Sequence, residues 1–179
     1  KDQIYFWSGV DSLFQTNECD DLTKSFKQDA MAKGQNISGD DRRKSNIQFI
    51  DQDKHSDLYH KMAGFADYMN KKHFNFDLWG FEEKFQFTED NVGDKYDYHI
   101  DKTFGNSVRK LTIVVQLTDP LTYTGGSLEL MFGENHTQIA SCKQGSAIVF
   151  PSYTMHRVTP VLSGTRHSLV AWVSGPPFK

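Results

Sequence analysis

A histidine and an aspartate stand two residues apart in a segment of alternating side chains. His99 and Asp101 belong to the run 96–101, whose alternation predicts a β-strand. Side chains at positions i and i+2 of a strand point to the same face, so an imidazole and a carboxylate would converge there. These are two of the three ligands of a facial triad, which leaves open positions on a non-haem iron. The pair alone arises often by chance, so it needs further ligands to support it.

A third ligand and a cation follow later in the chain. His156 lies at the start of another predicted strand, and Arg166 begins the next one after a Ser-Gly turn. A hairpin of this length would bring the guanidinium of Arg166 beside the metal. Its two parallel donors suit one carboxylate of a dicarboxylic acid. The candidate catalytic residues are therefore His99, Asp101, His156 and Arg166, and the first three are the candidate metal ligands.

The other five histidines lack an acidic partner at ligand spacing on a predicted strand. We expect them to be surface or packing residues: His55, His60, His73, His136 and His167.

Composition narrows the class of protein. The chain has 179 residues, of which 37% are hydrophobic, enough for one domain with a core. With a net charge of -3, the chain has no strong positive field to attract nucleic acid. No run of apolar residues approaches the ~20 that a membrane-spanning helix needs. Two cysteines and no signal-peptide pattern favour a reducing, cytoplasmic location. Because the sequence opens on Lys1, we expect a short terminal segment outside it.

Two helices and many short strands are predicted to position the site. Apolar residues recur three or four apart over 16–33 and 56–73, which predicts two amphipathic helices. The polar residues 34–45 between them predict a mobile loop, placed at the substrate mouth. Short strands separated by turn residues follow from about residue 80, at 83–88, 96–101, 111–117, 127–132, 147–150 and 168–173. The predicted fold class is α+β, with helices packed against a double-sheet β core.

Three stretches carry a resemblance to a known family. They are residues 96–101, 117–128 and 150–161, followed by Gly164-Thr-Arg166. Together they resemble the prolyl 4-hydroxylase-type 2-oxoglutarate- and iron(II)-dependent dioxygenases, above all the PKHD-type hydroxylases of bacteria and phages. The resemblance covers residues 84–174, and the helical first half agrees in layout only. It implies a double-stranded β-helix (jelly-roll) core with the N-terminal helices packed on one sheet. We expect a single domain over 1–179, with support at 1–82 and the core at 83–175.

The resemblance also implies the chemistry. His99, Asp101 and His156 would hold Fe(II), and Arg166 would pair with the distal carboxylate of 2-oxoglutarate. O2 would be the second co-substrate, and ascorbate would maintain the iron. Oxidative decarboxylation to succinate and CO2 would accompany hydroxylation of a prolyl residue in a peptide or protein.

Three further residues match family positions, and each has a plainer alternative. Trp172 matches an aromatic that walls the co-substrate pocket, or it is a core tryptophan. Tyr96 matches a recurrent tyrosine that would help to bind the co-substrate, or it is a half-buried strand residue. Arg109 matches an arginine that contacts the peptide substrate, or it is a solvated residue at a strand end.

Two positions depart from the family pattern. Glu89 and Asp90 stand where relatives place a tyrosine aimed at the co-substrate, and an acid should repel a dicarboxylate. Gln116 stands where animal relatives have a tyrosine. Its amide is a candidate donor to the same carboxylate, since a polar residue in an apolar strand needs a partner.

Other functions stay open. The same site would suit hydroxylation of a small metabolite or free amino acid. A catalytically silent metal-binding interaction domain is disfavoured because all four site residues are present together. Nucleic-acid demethylation lacks a concentrated basic stripe. The substrate, the oligomeric state and the source are not specified by the sequence.

Overall fold

The computed structural model describes residues 6–33, 36–39, 41–102 and 108–179. Helix α1 covers Thr16–Lys33, the bounds that the sequence predicts. Helix α2 covers Ser56–Met69 and passes into a π-helical turn, Asn70–Phe74, so the predicted second helix is shortened by one turn. The predicted apolar stripe of α2 is buried, which explains why this segment is helical: Leu58, Met62, Phe65 and Met69.

Thirteen strands lie in the described part of the chain. They are β1 Ser8–Val10, β2 Asn36–Gly39, β3 Arg43–Ile50, β4 Phe85–Asp90, β5 Lys95–His99, β6 Arg109–Gln116, β7 Thr124–Gly125, β8 Leu128–Gly133, β9 His136–Ile139, β10 Ala147–Pro151, β11 Met155–Val158, β12 Val161–Ser163 and β13 Arg166–Ser174.

Almost all of these strands form one antiparallel sheet. Its order is β1-β10-β6-β13-β4-β3-β5-β11-β8-β9, with β2 added to β3, while β7 and β12 form a separate ribbon. β13 and β11 are separated in this order by three strands, yet residues from both line one cavity. The sheet is therefore curled around that cavity. A mostly antiparallel, curled sheet with two helices is consistent with a jelly-roll fold.

The two faces of the curled sheet have different roles. On β6 and β13, alternate side chains pack with the helices in the main core: Leu111, Ile113, Val115, Leu169, Ala171 and Val173. The residues between them line the cavity: Thr112, Val114, Ser168, Val170 and Trp172. Successive side chains of a strand point to opposite faces. The pairing register of β6 with β13 therefore determines which residues enter the core and which line the cavity.

The predicted loop at 34–45 is wrong where the structure describes it. Asn36–Gly39 form β2, which pairs antiparallel with β3, and β3 begins at Arg43. Gly34, Gln35 and Asp40 lie outside the described residues. Polar composition does not exclude a strand, because backbone pairing on an existing sheet satisfies its hydrogen bonds. Arg43 and Ser45 do line the cavity.

Membrane insertion through a helix finds no support in the described residues, since neither helix there has both the length and the apolar character for it.

Candidate metal centre and active-site cavity

The three predicted metal ligands meet at one point. His99 and His156 are direct partners in the pairing of β5 with β11. Their Nε2 atoms lie 3.3 and 3.4 Å from the same oxygen, Oδ1 of Asp101. One ligand atom from each residue lies within 4.8 Å of the others. Two imidazoles and one carboxylate with this spacing form the donor set of a facial triad.

Asp101 reaches the centre from outside the strand on which the sequence places it. β5 ends at His99, so the prediction that both residues share a strand face is wrong for Asp101. Its backbone N–H donates to the carbonyl of Ser152, 2.9 Å away in the turn between β10 and β11. That bond ties the Asp101 backbone to the turn that leads into His156.

Hydrogen bonds behind the centre orient both histidines. Nδ1 of His99 lies 2.8 Å from the carbonyl oxygen of Asp97, and Nδ1 of His156 lies 2.9 Å from that of Thr154. A carbonyl oxygen only accepts, so each Nδ1–H donates and Nε2 is left to face Asp101. The rings are 4.2 Å apart between centroids.

Two donors hold the far oxygen of the carboxylate. Thr112 Oγ1 donates to Asp101 Oδ2 over 2.8 Å, and Trp172 Nε1 donates to the same atom over 3.1 Å. Oδ1 is thereby turned toward the two histidines. Such partners fix the direction of a metal-bound carboxylate and tune its affinity.

The pKa shifts at the centre fit a site in which a metal cation replaces the protons shared by Asp101 and the two histidines. Burial opposes the charge on Asp101, but hydrogen bonds from His156 and His99 outweigh it and hold the pKa of its carboxyl well below the ordinary value. Burial also opposes the charge on His156, yet Asp101 raises the pKa of that imidazole. A metal ion would take the place of these protons. The donor set therefore fits a divalent cation such as Fe(II).

A cavity of about 300 Å³ opens beside the centre, inside the curled sheet. Every predicted site residue except Gln116 lines it. Gln116 is buried in β6, where its backbone bonds to Ser146 and Gly145. Its contact with a co-substrate stays a prediction.

Arg166 is a buried cation in the wall of this cavity. It is 2% exposed, and Nη1 donates to Asp90 Oδ2 over 3.1 Å. Its Nε and Nη2 are buried and have no hydrogen-bond partner among the described residues. Buried donors are almost always satisfied, so two orphaned N–H groups of one guanidinium indicate a missing acceptor. A carboxylate with two oxygens fits them, and the distal end of 2-oxoglutarate is such a group.

The two acids that depart from the family pattern point to opposite faces of β4. Asp90 faces the cavity, and burial raises the pKa of its carboxyl against the opposing effect of Arg166. Glu89 faces the helices and accepts from His167 Nε2 over 2.9 Å. That hydrogen bond is the main reason that the pKa of Glu89 falls to about 2. The register pairs Arg166 with Asp90 and His167 with Glu89.

Three more predicted residues surround the centre. The Tyr96 ring stacks on His99 with 3.5 Å between centroids. The guanidinium of Arg109 lies 3.7 Å from the Trp172 ring centroid, and its Nε donates to Glu83 over 2.6 Å. Trp172 is thus both a cavity wall and a partner of the metal centre, and Arg109 is paired rather than solvated.

The comparisons with known proteins agree with this geometry. A family model described as the 2OG-Fe(II) oxygenase superfamily matches residues 85–174, half of the chain. The chain belongs to this superfamily. The matched segment runs from β4 to β13 and contains every predicted site residue. The predicted membership in the 2-oxoglutarate- and iron(II)-dependent oxygenases is confirmed. Membership in this oxygenase superfamily implies Fe(II), 2-oxoglutarate and O2, whereas ascorbate stays a prediction.

Relatives within the oxygenase superfamily include hydroxylases. A PKHD-type hydroxylase of Synechococcus sp. (strain CC9605) is 38% identical over 84 residues, 46% of this chain and 38% of that protein. The chain thus spans about two fifths of the length of the curated relatives that it matches.

Solved structures share the fold at low identity. A Pseudomonas putida prolyl-4-hydroxylase superposes with a TM-score of 0.78 and 21% identity, over 96% of this chain and 94% of that one. A Trichoplax adhaerens prolyl hydroxylase, in complex with a hypoxia inducible factor peptide fragment, gives 0.81 and 16%, over 95% and 84%.

Sequence reasoning missed two contributors to this oxygenase site and the partner of a third. Thr112 was not singled out, although its position two residues before Val114 places both on the cavity face of β6. Glu83 gave no signal as the partner of Arg109, because the two are distant in sequence. Asp90 was recognised as a departure, but pairing it with Arg166 requires the register of β4 against β13.

Proposed function

We propose that this protein is an Fe(II)- and 2-oxoglutarate-dependent dioxygenase that hydroxylates a prolyl residue in a peptide or protein. 2-Oxoglutarate would be decarboxylated to succinate and CO2. The observation that carries the proposal is one cavity holding both a His-Asp-His donor set and a buried arginine with two unpartnered N–H groups. We also propose that the curled sheet is the double-stranded β-helix of this superfamily.

The residues of the chain would divide the work. His99, Asp101 and His156 would hold Fe(II), which supplies O2 activation when bound. Arg166 would fix the distal carboxylate of 2-oxoglutarate, which orients the co-substrate toward the metal. The side chains of Val114, Leu128 and Val158 give the cavity an apolar wall that limits water.

A prolyl substrate rests on similarity together with one feature of the cavity. The names of the relatives and the peptide bound to one structural neighbour support it. Arg109 lies at the cavity, held by Glu83 and by the Trp172 ring, where it would contact a peptide. Ascorbate dependence and a cytoplasmic location remain predictions of the same proposal.

Mass spectrometry tests the proposal. Proline-containing peptides would be incubated with the protein, Fe(II), 2-oxoglutarate and ascorbate, and a gain of about 16 Da on proline is expected from one added oxygen. His99→Ala is the matched control and should give no product. Product on free amino acids but not on peptides would replace the prolyl substrate by a small metabolite. Absence of succinate with every substrate would leave the silent metal-binding domain.

A further inference from the structure

Arg166 is charge-balanced before any co-substrate enters. Asp90 is 3% exposed, and its Oδ2 accepts from Nη1 of Arg166. Both side chains line the cavity. A dicarboxylate that binds Nε and Nη2 of Arg166 would bring a second carboxylate against Asp90. One guanidinium would then face two negative charges in a buried space, which is costly.

The other charged groups around Asp90 do not remove this conflict. Asp94, in the turn after β4, favours the neutral form of Asp90, and Arg43 on β3 favours the charged form. The guanidinium of Arg43 lies 4.8 Å from the Tyr96 ring centroid, and its Nε donates to Ser45. The remaining titratable neighbour of Arg166 is Tyr123, and burial raises the pKa of that phenol. Among the described residues, Arg166 is therefore the group that forms an ion pair with Asp90.

We propose that Asp90 takes up one proton from solvent when the dicarboxylate binds, and that the resulting carboxylic acid donates a hydrogen bond to the distal carboxylate. The inference rests on the proposed function, since it concerns the same pocket. The step is balanced: a buffer acid or hydronium ion gives up one proton as its bond to hydrogen breaks, the Asp90 O–H forms, and protein, dicarboxylate dianion and that proton make up one complex.

The energetics favour protonation of Asp90 over protonation of the ligand or loss of Arg166. Burial already raises the pKa of Asp90, even with Arg166 beside it. An incoming carboxylate shares Arg166 and adds a like charge, and both effects raise that pKa further. The acid that the sequence marks as a conflict thus becomes a donor, provided that it is neutral in the complex.

Calorimetry of 2-oxoglutarate binding tests this without turnover. The Mn(II)-loaded protein would be titrated in buffers of different ionisation enthalpy, which counts protons taken up. We expect close to one proton per ligand, and a dissociation constant that rises by up to about tenfold per pH unit between about pH 6 and pH 8. Asp90→Asn should abolish both effects and bind more tightly at the higher pH. Glu89→Gln, on the other face of β4, is the matched control and should show the same proton uptake and the same 2-oxoglutarate affinity as the unaltered protein.

A second ligand makes the test independent of any variant. 2-Oxopentanoate has the same chain length as 2-oxoglutarate but lacks the distal carboxylate, so its binding should be free of proton uptake. Uptake that persists in Asp90→Asn, or that is equal for the two ligands, would overturn the inference. So would tight binding of 2-oxoglutarate with no uptake. If the metal-loaded protein fails to bind 2-oxoglutarate at all, the proposed function itself falls, and this inference with it.

Discussion

Trp172 and Asp101 are joined by a hydrogen bond of 3.1 Å from the indole Nε1 to Oδ2. The guanidinium of Arg109 packs over the same indole ring, 3.7 Å from its centroid. One side chain therefore contacts both Arg109, which lines the cavity, and Asp101, a candidate metal ligand. Together with Thr112, that side chain holds Oδ2 and so turns Oδ1 toward the two histidines.

Trp172→Phe should weaken metal binding while the cavity keeps its wall. Phenylalanine preserves most of the ring but has no N–H, so Asp101 Oδ2 keeps Thr112 alone. Losses of about tenfold to a hundredfold in metal affinity are typical for such partners. Titration with Co(II) or Mn(II) measures the change. Trp79→Phe, at a residue that is 59% exposed, is the control, and equal affinities for both variants would mean that the indole does not position the carboxylate.

His99→Ala and Asp101→Ala should each abolish 2-oxoglutarate turnover and leave the fold largely intact. Three protein ligands leave solvent-exchangeable positions on the metal, and water relaxation with Mn(II) detects them in the unaltered protein. His136→Ala, which removes an exposed histidine, should be without effect. Full turnover in either triad variant would refute the metal assignment.

Arg166→Ala should raise the apparent 2-oxoglutarate constant by about a hundredfold to a thousandfold, or ~3–4 kcal/mol, because the distal carboxylate would be desolvated and unpaired. Arg166→Lys keeps the charge but loses the fork, so a smaller increase is expected. The constant is measured at fixed iron. A shift below about threefold would move the contact to Gln116 and Tyr96.

The Arg166→Ala experiment needs a control for stability, because Asp90 is the buried ion-pair partner of Arg166. Removing Arg166 also leaves a buried acid without its partner, so part of any loss could reflect stability. The double variant Arg166→Ala with Asp90→Asn removes both charges, and unfolding in urea compares it with the single variant. The double variant should be more stable than Arg166→Ala. Its affinity for 2-oxoglutarate should exceed that of the single variant by no more than about tenfold.

Arg109→Ala should lower peptide hydroxylation more than uncoupled 2-oxoglutarate decay. The guanidinium is fixed by Glu83 Oε2 at 2.6 Å and by the Trp172 ring, and this preorganised geometry suits a backbone carbonyl or carboxylate of a substrate. The ratio of hydroxylated peptide to succinate measures the coupling. Lys95→Ala removes a cation of similar exposure away from the cavity, and an equal fall of the ratio in both variants would argue against a substrate contact.

Glu89 should make folding stability sensitive to acid. Its pKa in the folded protein is about 2, below the ordinary value of 4.5. The contribution is therefore fully present above pH 4.5 and is lost as the pH falls toward 2. Glu89→Gln should cost on the order of 2 kcal/mol at pH 7, after allowance for partial exposure, and the difference should shrink below about pH 4. Urea unfolding of both proteins at several pH values checks this, and a difference that is independent of pH would contradict it.

The sequence predicted the helices and the residues that meet in the candidate metal centre, and its clearest signals were local patterns. The period of α2 and the His-Ile-Asp spacing are visible within a few residues. The structure differs where partners are distant. β5 ends at His99, and Asp101 is placed by the carbonyl of Ser152, a contact between turns that no spacing reveals.

Strand assignment failed for a related reason. β2 is polar, and its pairing with β3 extends a sheet whose position is set elsewhere in the chain. Composition reports whether a segment has apolar surface to bury, not whether a neighbouring backbone is available. The role of Asp90 was hidden in the same way, since its partner Arg166 becomes visible only with the register of β4 and β13.

The facing positions of His99 and His156 have a mechanical consequence. β11 pairs with β5 at only two positions, His156 with His99 and Val158 with Tyr96, and β8 and β9 continue from β11. An ion held by both histidines is a cross-link at this seam, closing a long chain segment as a disulfide would. Taking the metal away would therefore loosen one end of the sheet as well as stop the chemistry.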